Sequence, residues 1–573
     1  MKYATLAEHH VVPAARHDFL HGMTSLMGRH RANLVGCGIR PSGLIERQAM
    51  NSRKRWCRIS PVAVLTALSL VATAAAHASA SPGPDGSHEG VAGQPGCERL
   101  DARACLDLAL TAMGGRDKLA SIHNVQLDVI GHTALTEQSY RQAPFITSYE
   151  RDQLTVDFDK GRLQQHARAV WPESDPHQAD IEQTLVATAQ GGVYRGKDGD
   201  SPCGLSDLED TRATLALGPE RLLLTAAAAP DLHYASGEWL RSTPHSVLEF
   251  SWNGQPVRVL LNAFNHLPDA FERTATFQDF WFAWGDVEQR VYYDNWKLLG
   301  GMVLPTNRIE QRNGVPWQSM QILDASFNAT LDDKTFAMDA AVATKSAQSK
   351  GWNREFSDKH RVELAPGIEL YSGAWNTTLI RQDDGVLVLE APISPHYVTG
   401  VLAKARSTFA GMPVKAVLSS SDSWPHMAGV REAVAEDLPV YILDLNQPLL
   451  ERLVAAPHHL QPDHLQAAPK APQWHVVSGR QEIGSGANRV VIYPLRGAST
   501  ERQYMVYFPQ HKLLYASDTL ALNADHTLYD PELMHEVVQA VAREHLEVTT
   551  VYAMHEGPTP WSEVVRLVDA ATK

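Results

Sequence analysis

A change in residue pattern near position 350 constrains the fold of this chain more than any other feature. From about residue 352 to the end, short β-type runs alternate with helical runs, beginning with "WNTTLIRQDDGVLVLEA" and the amphipathic "HYVTGVLAKARSTF". Strands interleaved with helices are typical of layered α/β proteins. Before the change, Asn253-Gly254 and Asn313-Gly314 each separate two alternating apolar runs, which indicates two β-hairpins.

The sequence therefore predicts two domains, since 573 residues are too many for a single core. Residues 97–340 are expected to form a mostly antiparallel sheet with one leading helix within 106–119. Residues 341–352, rich in Lys, Ser and Gln, are expected to be a linker, and residues 353–573 an α/β domain. The fold class is thus α+β in the first part and α/β in the second.

The charge balance argues against a nucleic-acid partner. The chain carries 51 basic and 65 acidic residues, a net charge of −14, and no basic stripe stands out after the first 80 residues. With 44% hydrophobic residues, the composition is that of a globular protein. A small-molecule or lipid-like substrate is the expected partner class.

The N-terminal region is typical of an exported bacterial protein. A basic segment begins at Met50, an apolar run follows at 61–76, and a small-residue pattern ends at Ala80, which together predict a signal peptide over 50–80. Residues 1–49 are then interpreted as a mis-assigned upstream extension, and 81–96 as a flexible linker rich in Pro, Gly and Ser. The mature protein is expected in the periplasm or outside the cell, with no transmembrane span after cleavage. The alternative is an uncleaved signal anchor.

Three cysteines remain after the predicted cleavage. An oxidising compartment permits a disulfide between Cys97 and Cys105, while free buried thiols are the alternative.

Three side chains with metal-ligand chemistry follow predicted strands of the second domain. His426 comes after "VKAVL", Asp518 after "KLLYAS" and His555 after "TTVYAM". The ends of strands are where α/β proteins gather their sites. Two imidazoles and one carboxylate suit a single Zn²⁺ with water in the open position, and the same set also suits Fe²⁺. The alternative is that the three residues only satisfy neighbouring hydrogen bonds.

The order of elements around these residues resembles the metallo-β-lactamase superfamily over the whole of 353–573. The resemblance is carried by "DDGVLVLEAP" as an opening strand, "HMAGV" as the end of a histidine loop, "YFPQHKLLYASDTL" as a meander and "VYAMHEGP" at the last histidine. It implies an αβ/βα four-layer sandwich and hydrolytic chemistry on an ester, amide or thioester.

The family motif is degenerate in this chain. Where the family has His-x-His-x-Asp-His, this sequence has Ser421, Ser423, Pro425 and His426. The next family histidine should fall within "YPLRGAST", which offers Ala498 or Ser499 instead. By this comparison the first metal position has lost every histidine, and the second keeps three ligands. The resemblance therefore implies an atypical, mononuclear site.

Roles for the neighbouring residues follow from the same resemblance. Ser421, Ser423 and Ser499 are expected to bind substrate. Glu556 and Asp422 are the candidate general bases, and spacing does not select between them.

Two further residues near the site have expected structural roles. Ser423 is expected to cap the helix that carries His426. Glu390 stands where the family has a structural acid.

The histidines of "PHHLQPDH", at 458, 459 and 464, are expected to lie in a solvated loop, with a substrate mouth as the alternative. "GGVYRGKD", at 191–198, has the spacing of a phosphate loop, but Asp198 stands where a Ser or Thr is needed, so this interpretation is rejected.

Residues 97–340 resemble the lipoprotein-carrier-like β domains, through "AMGGRDKLASIHNVQ", "GMVLPTNRIEQ" and "ATLDDKTFAM". That resemblance implies a curved sheet sheltering acyl chains, and the alternative is a β domain that only packs on its neighbour. Two main hypotheses remain: an exported metal-dependent hydrolase, or a non-catalytic periplasmic binding protein with a relic metal site and an apolar ligand. A redox role for bound iron is the third.

Overall fold

The computed structural model describes residues 96–97, 99–136, 143, 145–170 and 181–571. The upstream extension, the signal peptide and nearly all of the 81–96 linker predicted from the sequence lie outside the described residues. Within the described residues, no helix is long and apolar enough to cross a membrane.

The first half is built on one antiparallel sheet of thirteen strands, which confirms the predicted strand type. The strands run in the order β6-β5-β4-β3-β2-β1-β13-β12-β11-β10-β9-β8-β7. Their bounds are β1 (Asn124–Thr133), β2 (Tyr149–Asp157), β3 (Arg162–Val170), β4 (Ile181–Thr188), β5 (Gly191–Gly196), β6 (Gly199–Pro202), β7 (His233–Leu240), β8 (Thr243–Trp252), β9 (Gln255–Asn262), β10 (Pro268–Ala275), β11 (Val287–Leu299), β12 (Met302–Arg312) and β13 (Val315–Phe327).

Both predicted Asn-Gly hairpins are present, between β8 and β9 and between β12 and β13. In each turn the Asn and the Gly have positive φ, as a two-residue hairpin turn of this kind requires. Residues 191–196 of the rejected phosphate loop form strand β5 instead of a loop, which supports the rejection.

The helices of the first half are more numerous than predicted. Its helices are α1 (Ala102–Ala112), α2 (Arg116–Ala120), α3 (Leu205–Leu217) and α4 (Leu222–Ala228). The prediction of one leading helix missed α3 and α4. The segment predicted as a linker contains a further helix, α5 (Ala340–Gln348), and its Ser346 hydroxyl accepts a hydrogen bond from the Gly192 amide of β5 at 3.1 Å.

The second half contains two sheets, of seven and six strands. The first has the order β14-β15-β16-β17-β18-β19-β20, and the second β21-β22-β23-β24-β25-β26. The strands are β14 (Arg361–Ala365), β15 (Ile368–Tyr371), β16 (Thr377–Gln382), β17 (Gly385–Leu389), β18 (Val414–Ser419), β19 (Pro439–Leu443), β20 (Gln473–Val477), β21 (Gln481–Ile483), β22 (Val490–Pro494), β23 (Tyr504–Phe508), β24 (Leu513–Tyr515), β25 (Thr550–Tyr552) and β26 (Thr559–Pro560).

The helices of the second half alternate with its strands, as the sequence predicts. They are α6 (Pro395–Thr408), α7 (Trp424–Met427), α8 (Val430–Ala435), α9 (Gln447–Ala455), α10 (His464–Ala467), α11 (Pro531–Arg543) and α12 (Trp561–Ala571). One core lies between the two sheets and joins residues such as Leu387 and Leu389 to Val506 and Phe508. Helices α6, α8 and α9 pack on the seven-stranded sheet, and α11 and α12 on the six-stranded sheet.

The two halves share a hydrophobic core. A 3₁₀ helix at Phe280–Trp284 of the first half packs against α7, where the ring centres of Trp281 and Trp284 lie 4.8 and 5.1 Å from that of Trp424, edge to face. Edge-to-face aromatic pairs are favourable beyond their buried area. The first half therefore contacts the helix that carries His426.

The helices of the first half cover an apolar face of its sheet. Side chains of α1 and α4, such as Leu106 and Leu222, pack on Val259, Phe271 and Val291. On the neighbouring strand β12, Arg312 and Glu310 are buried, and Nε of Arg312 donates to Glu310 at 2.9 Å. The chain's own helices thus cover this apolar face of the sheet.

The two cysteines near the start of the described chain are bonded to each other, Cys97 to Cys105. Cys203 is a free buried thiol.

Candidate metal centre

Parallel strands β24 and β25 position two of the three predicted ligands. Tyr515 pairs with Tyr552 in register, so Asp518 and His555 each stand three residues beyond a paired position. The chain continues this alignment, because the Ala516 amide donates to the Tyr552 carbonyl and the Met554 amide to the Ser517 carbonyl, both at 2.9 Å. The sheet register therefore brings Asp518 and His555 to the same edge.

The third ligand arrives on a short helix after β18. His426 lies in α7, and its amide donates to the Ser423 carbonyl at 3.0 Å. The loop before α7 is tied to the other sheet, because the Tyr504 amide donates to the Ser420 carbonyl at 3.0 Å. The two sheets thus meet where the site forms.

The structure brings His426, Asp518 and His555 together, with one ligand atom from each lying within 4.8 Å of the others. The Nε2 atom of His426 lies 3.2 Å from Oδ2 of Asp518, and Nε2 of His555 lies 3.1 Å from Oδ1. The imidazoles are almost fully buried, with 2% and 7% of the side chains exposed, whereas Asp518 is 24% exposed. The carboxylate is thus the solvent-facing member of the group.

The hydrogen bond to Ala374 fixes the tautomer of His555. Its Nδ1 lies 2.9 Å from the carbonyl oxygen of Ala374, which can only accept, so Nδ1 carries the proton. In the neutral ring, Nε2 then presents a lone pair to a carboxylate oxygen 3.1 Å away, which is repulsive. A proton or a metal ion between the two atoms removes the repulsion, and a backbone carbonyl on the second nitrogen is the usual support of a metal-bound His.

The spacing also fits a small cation. Ligand atoms held at about 2.0–2.1 Å from a tetrahedral zinc ion are separated from one another by about 3.3 Å. The two nitrogen-to-oxygen separations, 3.2 Å to Oδ2 and 3.1 Å to Oδ1 of Asp518, are close to that value. The residues present therefore fit the metal that the sequence predicts.

A buried hydrogen-bond network lies behind the ligands and contains Glu390. Its Oε1 accepts from the Ser420 amide at 3.2 Å and from the Tyr515 hydroxyl at 3.1 Å, and the Ser420 hydroxyl bonds it as well. The Ser420 and Ser517 hydroxyls lie 2.7 Å apart, which connects Glu390 to the residue before Asp518. Burial raises the pKa of Glu390 to about 8, so this carboxyl is protonated at neutral pH.

The three serines proposed for substrate are buried, with 1% to 7% exposed. The Ser421 hydroxyl accepts from the Ser423 amide at 3.1 Å, and Glu536 holds the Ser499 amide at 3.1 Å. Ser423 stands at the cap position of α7, but its side chain makes no capping hydrogen bond to the described residues, which corrects the predicted cap. Packing around the loop, and not a capping hydroxyl, therefore fixes the start of α7.

The two candidate bases lie in different surroundings. Asp422 is buried, with one carboxylate oxygen 4.0 Å from Nε of Arg502. Glu556 accepts from the Gly557 amide at 3.2 Å, and burial raises its pKa. Neither position by itself assigns the base.

Two contributors to the site were missed in the sequence. One is Ala374, whose only contribution is a backbone carbonyl. The other is half-buried Asp530 at the start of α11, whose pKa burial raises to about 7, with the charges of Glu532 and Asp518 adding to the effect. An acid before Pro531 is a helix-start signal that could have directed attention to it.

Comparison with known proteins adds little to this geometry. No protein-family model matches the chain, and no curated protein matches its sequence. Among solved structures, similar chains include a metallo-β-lactamase from Erythrobacter litoralis with β-mercaptoethanol in its active site (14% identity, 38% of this chain and 98% of that one, TM-score 0.30) and the metallo-β-lactamase DIM-1 (12%, 38% and 99%, TM-score 0.30). The inverting sec-alkylsulfatase Pisa1 from Pseudomonas sp. is also similar (13%, 37% and 41%, TM-score 0.28). At these TM-scores the likeness carries no argument, so the interpretation rests on the chain's own residues.

Proposed function

We propose that residues 353–573 form an αβ/βα four-layer hydrolase domain with one metal ion, held by His426, Asp518 and His555. The observation that carries the proposal is the pair of Nε2 atoms placed 3.2 and 3.1 Å from the two oxygens of one carboxylate, with the tautomer of His555 set by Ala374. Zn²⁺ is the proposed ion, and Fe²⁺ is the alternative that would indicate redox chemistry.

Each residue of the proposed site has its own role in binding the ion. A Zn²⁺ ion in such a site supplies a bound water of lowered pKa and polarises the scissile carbonyl. His426 and His555 give neutral nitrogen ligands, and the Ala374 carbonyl keeps the His555 ring oriented. Asp518 gives the charged ligand. Its backbone amide donates a hydrogen bond to the side-chain oxygen of Gln503 at 3.0 Å, which helps to hold the residue in place. Substrates are expected among small or lipid-like esters, amides and thioesters.

Metal analysis and turnover test the proposal together. The mature chain should contain about one zinc per molecule, and His426→Ala, Asp518→Ala and His555→Ala should each lose it with an unchanged circular dichroism spectrum, because packed sheets and helices hold this domain. Hydrolysis of a panel of esters, thioesters and amides should fall with the metal. His396→Ala is the matched control, since this histidine is half exposed on α6 and pairs with Glu355.

Pro425→Asp gives the complementary gain-of-function test. The Pro425 carbonyl accepts from the Ile393 amide at 2.7 Å, a bond that any residue at 425 keeps. The new carboxylate next to His426 is expected to add a ligand and tighten metal binding. A wild type without metal that gains none from Pro425→Asp would overturn the hydrolase proposal and favour the non-catalytic binding protein.

Variants that retain the metal can distinguish between the two candidate general bases, Asp422 and Glu556. Asp422→Asn and Glu556→Gln should both keep the metal, and only the variant at the true base should lose turnover.

We also propose that the protein is exported and processed. N-terminal sequencing of the exported protein should begin at Ser81, because the basic, apolar and small-residue segments end at Ala80. Recovery of protein that still carries residues 1–49 would contradict both the cleavage and the upstream-extension interpretations.

A further inference from the structure

A polar cleft of about 310 Å³ lies away from the metal ligands, where the antiparallel sheet meets a loop of the second half. Its walls include the side chains of Glu209, Arg212, Trp252, Arg273, Gln278 and Gln461. Clefts of this size between packed parts of a protein are common ligand sites. The metal centre uses none of these residues.

Arg273 is the unusual member of this cleft. Only 8% of it is exposed, and its Nε donates to the side-chain oxygen of Gln289 at 2.5 Å. Within the described residues its two outer nitrogens donate no hydrogen bond, and no carboxylate lies within 4.0 Å of them. Burial is the main cause that lowers the pKa of Arg273, and the charges of Glu209, Glu310 and Asp210 act against it without a direct hydrogen bond to the guanidinium. A buried guanidinium whose outer nitrogens make no hydrogen bond is costly.

The neighbouring Arg312 shows what a satisfied arginine is like in this sheet. It is 1% exposed, its Nε bonds Glu310 at 2.9 Å, and it also pairs with Asp279. Within the described residues, one buried arginine thus makes direct hydrogen bonds to carboxylates, whereas the other, which lines the cleft, has only more distant ones.

The surroundings of Arg273 indicate what kind of anion fits. Its guanidinium carbon lies 5.3 Å from the ring centre of Trp252, which lines the same cleft, so an apolar surface stands beside the charge. On another wall, Glu209 accepts from the Gln278 amide at 3.1 Å. Burial raises the pKa of Glu209, and the charge of Arg273 acts in the opposite direction.

We propose that this cleft binds a small organic carboxylate, whose carboxylate pairs with the outer nitrogens of Arg273 and whose carbon skeleton lies against Trp252. The planar fork of arginine matches a carboxylate in a bidentate arrangement. A single guanidinium fork, in a cleft that Glu209 also lines, suits a monoanion better than a phosphate dianion. This inference stands independently of the proposed hydrolase activity.

The test is ligand binding by the full mature chain in the presence of EDTA, measured by calorimetry and by tryptophan fluorescence. The probes are lactate and benzoate, with inorganic phosphate as the comparison. Wild type should bind at least one carboxylate with a Kd in the millimolar range or below. His426→Ala should bind it equally well, which separates this cleft from the metal centre.

Two variants of Arg273 test whether its guanidinium binds the carboxylate. Arg273→Gln removes the charge and should weaken binding by about tenfold or more, and Arg273→Lys keeps the charge but loses the fork and should also weaken it. Arg241→Gln, at a half-exposed arginine paired with Asp294, should leave the affinity unchanged. No carboxylate binding by wild type at about 10 mM, or equal binding by a folded Arg273 variant, would overturn the proposal. Arg273-dependent binding of phosphate in preference to both carboxylates would overturn the ligand class.

Discussion

Replacement of Asp286 by alanine is expected to destabilise the contact between the two halves of the chain. The Asp286 side chain is 7% exposed and accepts from the amides of His459 and Leu460 at 2.7 and 2.9 Å, and from Nδ1 of His459 at 3.0 Å. Each amide left without its charged acceptor costs about 1.5–3 kcal/mol. The exposed His459 ring adds little, because 71% of it faces solvent.

Asp286→Ala should therefore lower the free energy of unfolding by about 3–6 kcal/mol. The assay is urea unfolding of the mature chain followed by circular dichroism, with amide hydrogen exchange at 459 and 460 as the local readout. Asp294→Ala is the matched control, since this carboxylate on β11 pairs with Arg241 at the surface and should contribute about 1 kcal/mol or less. Equal losses for the two variants, or unchanged exchange at 459 and 460, would refute the assignment of Asp286 as a contact that holds the halves together.

Two further predictions concern the same interface. Burial lowers the pKa of His458 to about 4 from an unfolded value of 6.5. Between these values the unfolded chain binds a proton that the folded chain does not, so the free energy of unfolding decreases as the pH decreases. His458→Gln should thus lose about 2 kcal/mol less than wild type between pH 7 and pH 5 in urea titrations, and parallel curves would contradict this. The isolated fragment 353–573 should unfold at lower urea than the full chain, because it exposes Trp424; an equal midpoint would show that the shared core contributes nothing.

Local signals explain what was predictable in the first half. The turns at 253–254 and 313–314 depend on two residues each, and the structure has both. Helix α3 was missed because its sequence lacks a clean apolar stripe: it buries Leu208, Thr211 and Leu217 and turns Glu209 towards the cleft. A helix that presents acids to a polar interior does not show the periodicity by which amphipathic helices are recognised.

The candidate site shows the same division between local and long-range information. His426, Asp518 and His555 could be selected because each follows a strand, and strand ends meet at sheet edges. The Ala374 carbonyl that orients His555 could not, because it is 181 residues away and any residue type supplies one. His458, expected in a solvated loop, is only 5% exposed, because the first half covers it through Asp286 and the neighbouring Gly285.

The contact between the halves also bears on how the loop before His426 keeps its shape. The loop contains Ser421, Ser423 and Pro425, and the Ser423 hydroxyl expected to cap α7 makes no capping bond to the described residues. What fixes α7 instead is Trp424, two residues before His426, packed edge-on against Trp281 and Trp284. Edge-to-face packing of this kind orders a loop through its buried aromatic contacts. The first half therefore helps to position His426, which agrees with the alternative that the β domain packs on its neighbour.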